Sequence, residues 1–269
     1  NKMIRILHLV SSLSKSSGVM SVIMNYYKHI NKSNVQFDFC YFVNRDDTYE
    51  SEILSLGGRI HRISRPSITN KFKNELRTLF RNNEGVYTAI HIHEVYLTFL
   101  FGPIANEFGI KNIISHSHNT MYSDKIISAL RNRILCIPLK RIATHFFACS
   151  RAAGEFLYGK KNFDSSKVII INNAIDCEKY KYNELIRNNM REEMNLENYL
   201  VIGHVGRFNE QKNHCFIIDI FHSIKKQNDK VKLVLVGDGP LISNVKEKVK
   251  KLKLCNDVIF LGRRNDIPN

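Results

Sequence analysis

Short apolar runs alternate with amphipathic segments along almost the whole chain, and this alternation constrains the fold more than any other feature. Residues 4–10 (Ile-Arg-Ile-Leu-His-Leu-Val) form a brief, apolar-rich run, as a strand covered on both faces reads. Val19, Val22, Ile23, Tyr26 and Ile30 follow at helical spacing, the signal of one buried helix face. The same pair of signals returns at 37–43 and 49–56, at 59–63 and 72–82, and at 89–93 and 96–108. It returns again at 112–115 and 125–144, where Pro138 kinks or divides the helix, and at 145–149 and 151–158, before a strand at 168–171. Gly57-Gly58 supplies a helix stop. Strand and helix in strict turn predict an α/β fold with an open, mostly parallel sheet covered by helices on both faces.

Residues 172–198 interrupt the pattern with polar and charged sequence, read as a linker carrying a short helix around 184–194. The alternation then restarts with strands at 200–205, 231–236 and 257–261 and helices near 214–227 and 241–253. A chain of 269 residues is long enough for two domains with separate cores. The expected division is a first sheet domain over 1–172, a linker over 173–198, and an incomplete second domain over 199–269.

Charge narrows the partners. Lys and Arg number 40 against 25 Asp and Glu, a net +15. Such a field favours phosphorylated substrates or an anionic membrane surface. The basic residues are spread out and form no nucleic-acid motif, so no nucleic-acid partner is expected. The six cysteines form no CxxC pair and read as reduced thiols. No apolar run reaches the roughly 18 residues of a membrane span, nor does residue 4–10 look like an export signal. A cytoplasmic protein is expected, peripheral on the inner membrane face.

The segment Val205-Gly206-Arg207-Phe208-Asn209-Glu210-Gln211-Lys212-Asn213 lies between a strand and a helix. Arg207 and Lys212 therefore sit beside a helix N-terminus, whose N–H groups and dipole favour an anion such as a diphosphate. Gly18 opens the first helix, where the absence of a Cβ permits close approach of a ligand. There is no GxGxxG, so a dinucleotide site is poorly supported. His116 and His118 sit past a strand, where open α/β sheets bind ligands. They could face a substrate, cap strand ends, or join His91 and His93 around a metal; no carboxylate or Cys falls at ligand spacing, so no metal is expected.

Taken together, 206–213, Leu235-Val236-Gly237-Asp238-Gly239-Pro240, Ile171-Asn172-Asn173-Ala174-Ile175-Asp176 and the His118 loop resemble a retaining glycosyltransferase of family four, with the GT-B architecture of two Rossmann-like domains. The most similar members are bacterial capsular and exopolysaccharide transferases. The resemblance implies transfer of a sugar from a nucleotide-sugar donor, a UDP-sugar by commonness, to a lipid-linked or growing glycan, without a metal. It makes His118 the catalytic histidine facing the sugar and places Arg207, Lys212 and Gly18 on the donor diphosphate. Gly237, Asp238, Gly239 and Arg263 then lie near the nucleotide, and Asn173 and Asp176 at the crossing between domains.

The resemblance also implies front-face retention, in which the leaving phosphate takes the acceptor proton; Asp124, Glu94 and Glu155 do not stand out as nucleophiles in sequence. Two features depart from the family. Ser17-Gly18 replaces paired glycines, and no paired-acid motif follows Gly262 before Asn269, so weak donor binding is expected. The rivals are an inactive GT-B-like glycan-binding subunit and a nucleotide-sugar epimerase. Finally, Lys125, Arg131, Arg133, Lys140 and Arg141 accompany Ile126, Ile127, Leu130, Ile134, Leu135 and Ile137. Such a helix either lies on an anionic membrane or packs its apolar side inward.

Overall fold

The computed structural model describes residues 3–165 and 167–269. The chain divides into two compact units, Asn1–Ile175 and Asp176–Asn269.

The first unit is a seven-stranded parallel sheet in the order β3-β2-β1-β4-β5-β6-β7. Its strands are β1 (Ile4–Leu9), β2 (Val35–Tyr41), β3 (Ile60–Arg62), β4 (Ala89–Ile92), β5 (Asn112–Ser117), β6 (His145–Ala148) and β7 (Val168–Ile170). Its helices are α1 (Gly18–His29), α2 (Glu50–Ser55), α3 (Asn70–Arg81), α4 (Thr98–Glu107), α5 (Ile126–Leu135), α6 (Leu139–Ile142), α7 (Arg151–Tyr158) and α8 (Lys160–Asp164). The strand order reverses between β1 and β4, the switch point at which open α/β sheets leave a crevice beyond the strand ends.

Local chemistry explains the boundaries. Ser17 Oγ accepts the Met20 N–H at 3.3 Å and caps α1. Thr69 and Ser150 cap α3 and α7 in the same way. Pro138 ends one helix and opens the next, splitting the predicted 125–144 segment into α5 and α6. One core, with Leu7, Leu9, Ile90, Ile92, Phe72, Leu76 and Phe101, lies under α3 and α4. A second, with Met20, Ile23, Tyr27, Phe39 and Ile53, lies under α1 and α2. The short helix α8 was not anticipated from the sequence.

The second unit holds a three-stranded parallel sheet in the order β10-β9-β8, made of β8 (Leu200–Val205), β9 (Val231–Val236) and β10 (Val258–Gly262). Helices α10 (His214–Lys225) and α11 (Ile242–Lys251) cover one face, burying Phe208, Ile218, Phe221, Leu233, Leu235 and Val245. Helix α9 (Glu184–Glu193) lies in the stretch expected as linker. From Asp176 onward that stretch clusters with the second unit. Ile186, Met190 and Met194 line a groove of about 450 Å³ with Val201, Val205, Val234 and Val236 of the sheet's other face. The spaced apolar residues of α9 thus find apolar sheet to pack beside, and 176–198 is part of a domain.

Candidate active site

In the second unit, the loops at the C-terminal strand ends lock onto one another. Phe208 N–H donates to Asp238 O at 3.1 Å, Gly237 N–H to Gly262 O at 2.7 Å, and Leu241 N–H to Phe208 O at 3.1 Å. Gly237 has φ +135°, and a Cβ there would stand 2.1 Å from Gly206 O. A Cβ on Gly239 would stand 2.5 Å from Phe208 O. Only glycine allows this packing. Asp238 Oδ1 accepts the Gly239 N–H at 2.7 Å, and its Oδ2 lies 3.7 Å from Arg263 Nη2. The structure thereby gathers Arg207, Lys212, Gly237, Asp238, Gly239 and Arg263 on one edge of one sheet.

Arg207 and Lys212 are exposed and have no acidic partner among the described residues. A short 3-10 turn (Glu210–Lys212) precedes α10, so Lys212 stands just before the helix start. The Lys212 stem folds beside Gly206, whose notional Cβ would lie 3.4 Å from Lys212 Cγ. Below the loop, His214 is buried and stacks on Phe208 with ring centroids 3.9 Å apart. Burial lowers the pKa of His204 and His214, and Lys212 lowers both further. The positive charge on this edge thus stays with residues that reach solvent. Two exposed cations without a carboxylate partner among the described residues are suited to a diphosphate.

In the first unit, five histidines gather at the switch point. His8 pairs in register with His91 on the neighbouring strand. Residues two apart on a strand share a face, which brings His91 with His93 and His116 with His118. His8 Nδ1 lies 3.0 Å from His93 Nε2, and His93 Nδ1 lies 2.8 Å from His118 Nε2. His91 Nε2 lies 3.0 Å from His116 Nδ1. The rings make two hydrogen-bonded rows, and the second stacks on the first: His91 on His93 at 4.3 Å and His116 on His118 at 4.1 Å. Burial holds all five neutral. It lowers His118 to about 4, His91 to about 3 and His116 to about 2, and takes His8 and His93 well below the ordinary imidazole value.

His116 is the penultimate residue of β5 rather than a loop residue, and only His118 lies beyond the strand. His8 was missed because a single His in an apolar strand looks like core, and only the register to His91 exposes it. Two three-histidine groups have ligand atoms within 4.8 Å. The groups are His8, His91 and His93, and His93, His116 and His118.

His93 and His118 line a cavity of about 100 Å³ with Glu94, Tyr96, Ser117 and Tyr122. Burial raises the Glu94 carboxyl, opposed by hydrogen bonds with Ser11 and Tyr96. Among the residues lining this cavity Glu94 is the acidic one, which sequence context did not distinguish.

Gly18 opens α1 with no atom within 4 Å of a notional Cβ. No protein contact demands glycine there, and the space over the backbone is open. Asn173 and Asp176 stand on either side of the unit boundary. On the first-unit side, α1 holds the preceding backbone: Tyr26 Oη donates to Asn172 O at 2.7 Å and Asn25 Nδ2 to Ala174 O at 2.8 Å. Asp176 pairs with Lys179 at 3.6 Å.

Helix α5 turns its apolar residues outward. Ile126 and Ile127 are 88% and 86% exposed, Leu130 and Ile134 are exposed as well, and so is Ile137 just past the helix end. Asn132 and Cys136 face inward instead. This removes the reading of α5 as a core-facing helix. Among the described residues no helix is long and apolar enough to cross a membrane.

Comparisons with known proteins agree with the fold. The family model described as Glycosyltransferase Family 4 matches residues 16–179, and that described as Glycosyl transferases group 1 matches residues 186–269. EpsF of Bacillus subtilis (strain 168) is 34% identical over 272 residues, 98% of this chain and 69% of that protein. CapH of Staphylococcus aureus, a capsular polysaccharide biosynthesis glycosyltransferase, is 22% identical over 240 residues, 88% of this chain and 62% of that protein. The crystal structure of Anabaena HepE in complex with UDP and glucose shares the fold, with a TM-score of 0.77 at 20% identity, covering 98% of this chain and 71% of that one. Two Rossmann-like sheets, glycine-built loops at the strand ends and matches to both family models lead to one conclusion: the chain belongs to the family 4 glycosyltransferases of GT-B fold.

Proposed function

We propose that this glycosyltransferase moves a sugar from a UDP-sugar to a lipid-linked or growing polysaccharide, with retention of configuration. The observation that carries the reading is the pair Arg207 and Lys212, without an acidic partner among the described residues, on the glycine-built edge of the second sheet. Breaking the glycosidic bond places negative charge on the departing diphosphate, and cations already fixed where it develops lower the barrier. Arg207 can clamp two oxygens and Lys212 adds a point charge. Gly18 contributes open backbone at the start of α1. Gly237, Asp238, Gly239 and Arg263 border the nucleotide, and Asn173 and Asp176 lie where the chain crosses from the first unit to the second.

His118 faces the reacting sugar from the first unit, where the acceptor binds. The leaving phosphate takes the acceptor proton, so the protein supplies position and charge more than a base. The relatives support the donor and acceptor classes: HepE was crystallised with UDP and glucose, and CapH serves capsular polysaccharide biosynthesis. The outward apolar face of α5, with Lys125, Arg131, Arg133, Lys140 and Arg141 around it, seats the enzyme on the inner face of an anionic membrane, where a lipid-linked acceptor resides.

The test is a UDP-sugar panel with a polyprenyl-diphosphate-linked acceptor, with the product's anomeric configuration read by NMR and the assay repeated in EDTA. Transfer with retention, unchanged by EDTA, fits the reading. Sugar released or epimerised without an acceptor, or no reaction with any donor, contradicts it.

A further inference from the structure

The row His8–His93–His118 couples three tautomers. A neutral imidazole has one N–H and one bare nitrogen, and His93 spends both of its nitrogens on its neighbours. Each junction needs one donor and one acceptor, so the state of one ring fixes the other two. Two states satisfy both junctions: all three protons on Nδ1, or all three on Nε2.

The inner end of the row separates them. His8 is 2% exposed, and its Nε2 is buried with no hydrogen-bond partner among the described residues. Buried N–H groups are left orphaned more rarely than acceptors are. The state with a bare His8 Nε2 is therefore favoured, and it places every proton on Nδ1. His8 donates to His93, His93 donates to His118, and His118 keeps its own proton on Nδ1, the nitrogen not engaged in the row. The stacked second row of His91 and His116 holds the ring planes in place.

We propose that His8 and His93 are positioning residues that lock His118 as the Nδ1–H tautomer, making it a fixed hydrogen-bond donor that cannot act as a base. To accept a proton at Nδ1, the row would first have to move all three protons to Nε2 and leave an orphaned N–H on His8. The donor's use on a sugar oxygen rests on the reading of His118 as the sugar-facing residue; the lock itself does not.

The experiment is long-range proton–nitrogen NMR on the 269-residue chain labelled with 15N-histidine, at neutral pH. The expected result is a protonated Nδ1 and bare Nε2 on His8, His93 and His118, with nitrogen–nitrogen coupling across both hydrogen bonds. In His93→Phe the His118 nitrogens should shift toward a mixture of tautomers, since the donor to its Nε2 is gone. A proton on His118 Nε2 in the unsubstituted chain, or an unchanged His118 in His93→Phe, would overturn the lock. The unsubstituted spectrum decides the matter even if the variant does not fold. A locked Nδ1–H combined with full sugar transfer by His118→Phe would overturn the sugar-facing role alone.

Discussion

The carbonyl oxygen of Gly206 lies 2.1 Å from where a Cβ on Gly237 would stand. No L side chain relieves that contact, because the obstacle is backbone and φ at Gly237 is +135°. Gly237→Ala should therefore destabilise the second unit by about 2–4 kcal/mol, read as a lower urea midpoint. Gly18→Ala has open space and an ordinary φ, and should leave stability within about 1 kcal/mol. Equal losses in the two variants would contradict the loop geometry.

Acid should unfold the first unit steeply. The five ladder histidines have folded pKa values below that of the unfolded imidazole: His118 is lowered to about 4, His91 to about 3 and His116 to about 2, and His8 and His93 lie well below the ordinary value. Below about pH 6.5 the unfolded chain takes up protons that the folded ladder refuses. The stability they contribute is thus present above pH 6.5 and drains away as the pH falls toward 4. Each refused proton is worth about 1.4 kcal/mol per pH unit. Urea unfolding measured across this range should give a slope of several protons, reduced by about one in His116→Phe. A flat profile would mean that the ladder is charged or solvated.

Glu94 discriminates between routes to retention. If the leaving phosphate takes the acceptor proton, Glu94→Gln should cost about tenfold or less in kcat. A covalent glycosyl-enzyme formed on this carboxylate would lose on the order of a thousandfold or more. Steady-state kinetics with a trap for a labelled enzyme adduct separates the two.

Helix α5 should bind vesicles rich in phosphatidylglycerol and ignore neutral ones. Ile126→Asp/Ile127→Asp removes the two most exposed apolar side chains and should weaken that binding by tenfold or more, since each buried residue of this size contributes about 1.5–3 kcal/mol. Cosedimentation is the measurement, and equal binding to neutral vesicles would sink the electrostatic part of the account.

Sequence pattern revealed both sheets because short apolar-rich strands alternate with segments of helical periodicity along the chain. It revealed the 206–213 turn because a strand, a polar segment and a helix follow one another locally. It could not reveal the ladder: His8 and His91 are neighbours only through strand register, and a polar-looking His-Ser-His stretch hides the last residues of β5. Nor could periodicity tell which way α5 faces, because an outward apolar stripe and an inward one have the same spacing. Residues 176–198 looked like linker because their apolar residues are few, although Ile186, Met190 and Met194 border the second sheet's groove.

Affinity for UDP, measured by calorimetry on the intact chain at low salt, tests the central claim most directly. The account predicts measurable binding that weakens about tenfold or more in Arg207→Ala and in Lys212→Ala, each losing a charge-assisted contact of about 1.5–3 kcal/mol, with both variants folded. UDP binding that is unchanged in the two variants together would contradict it.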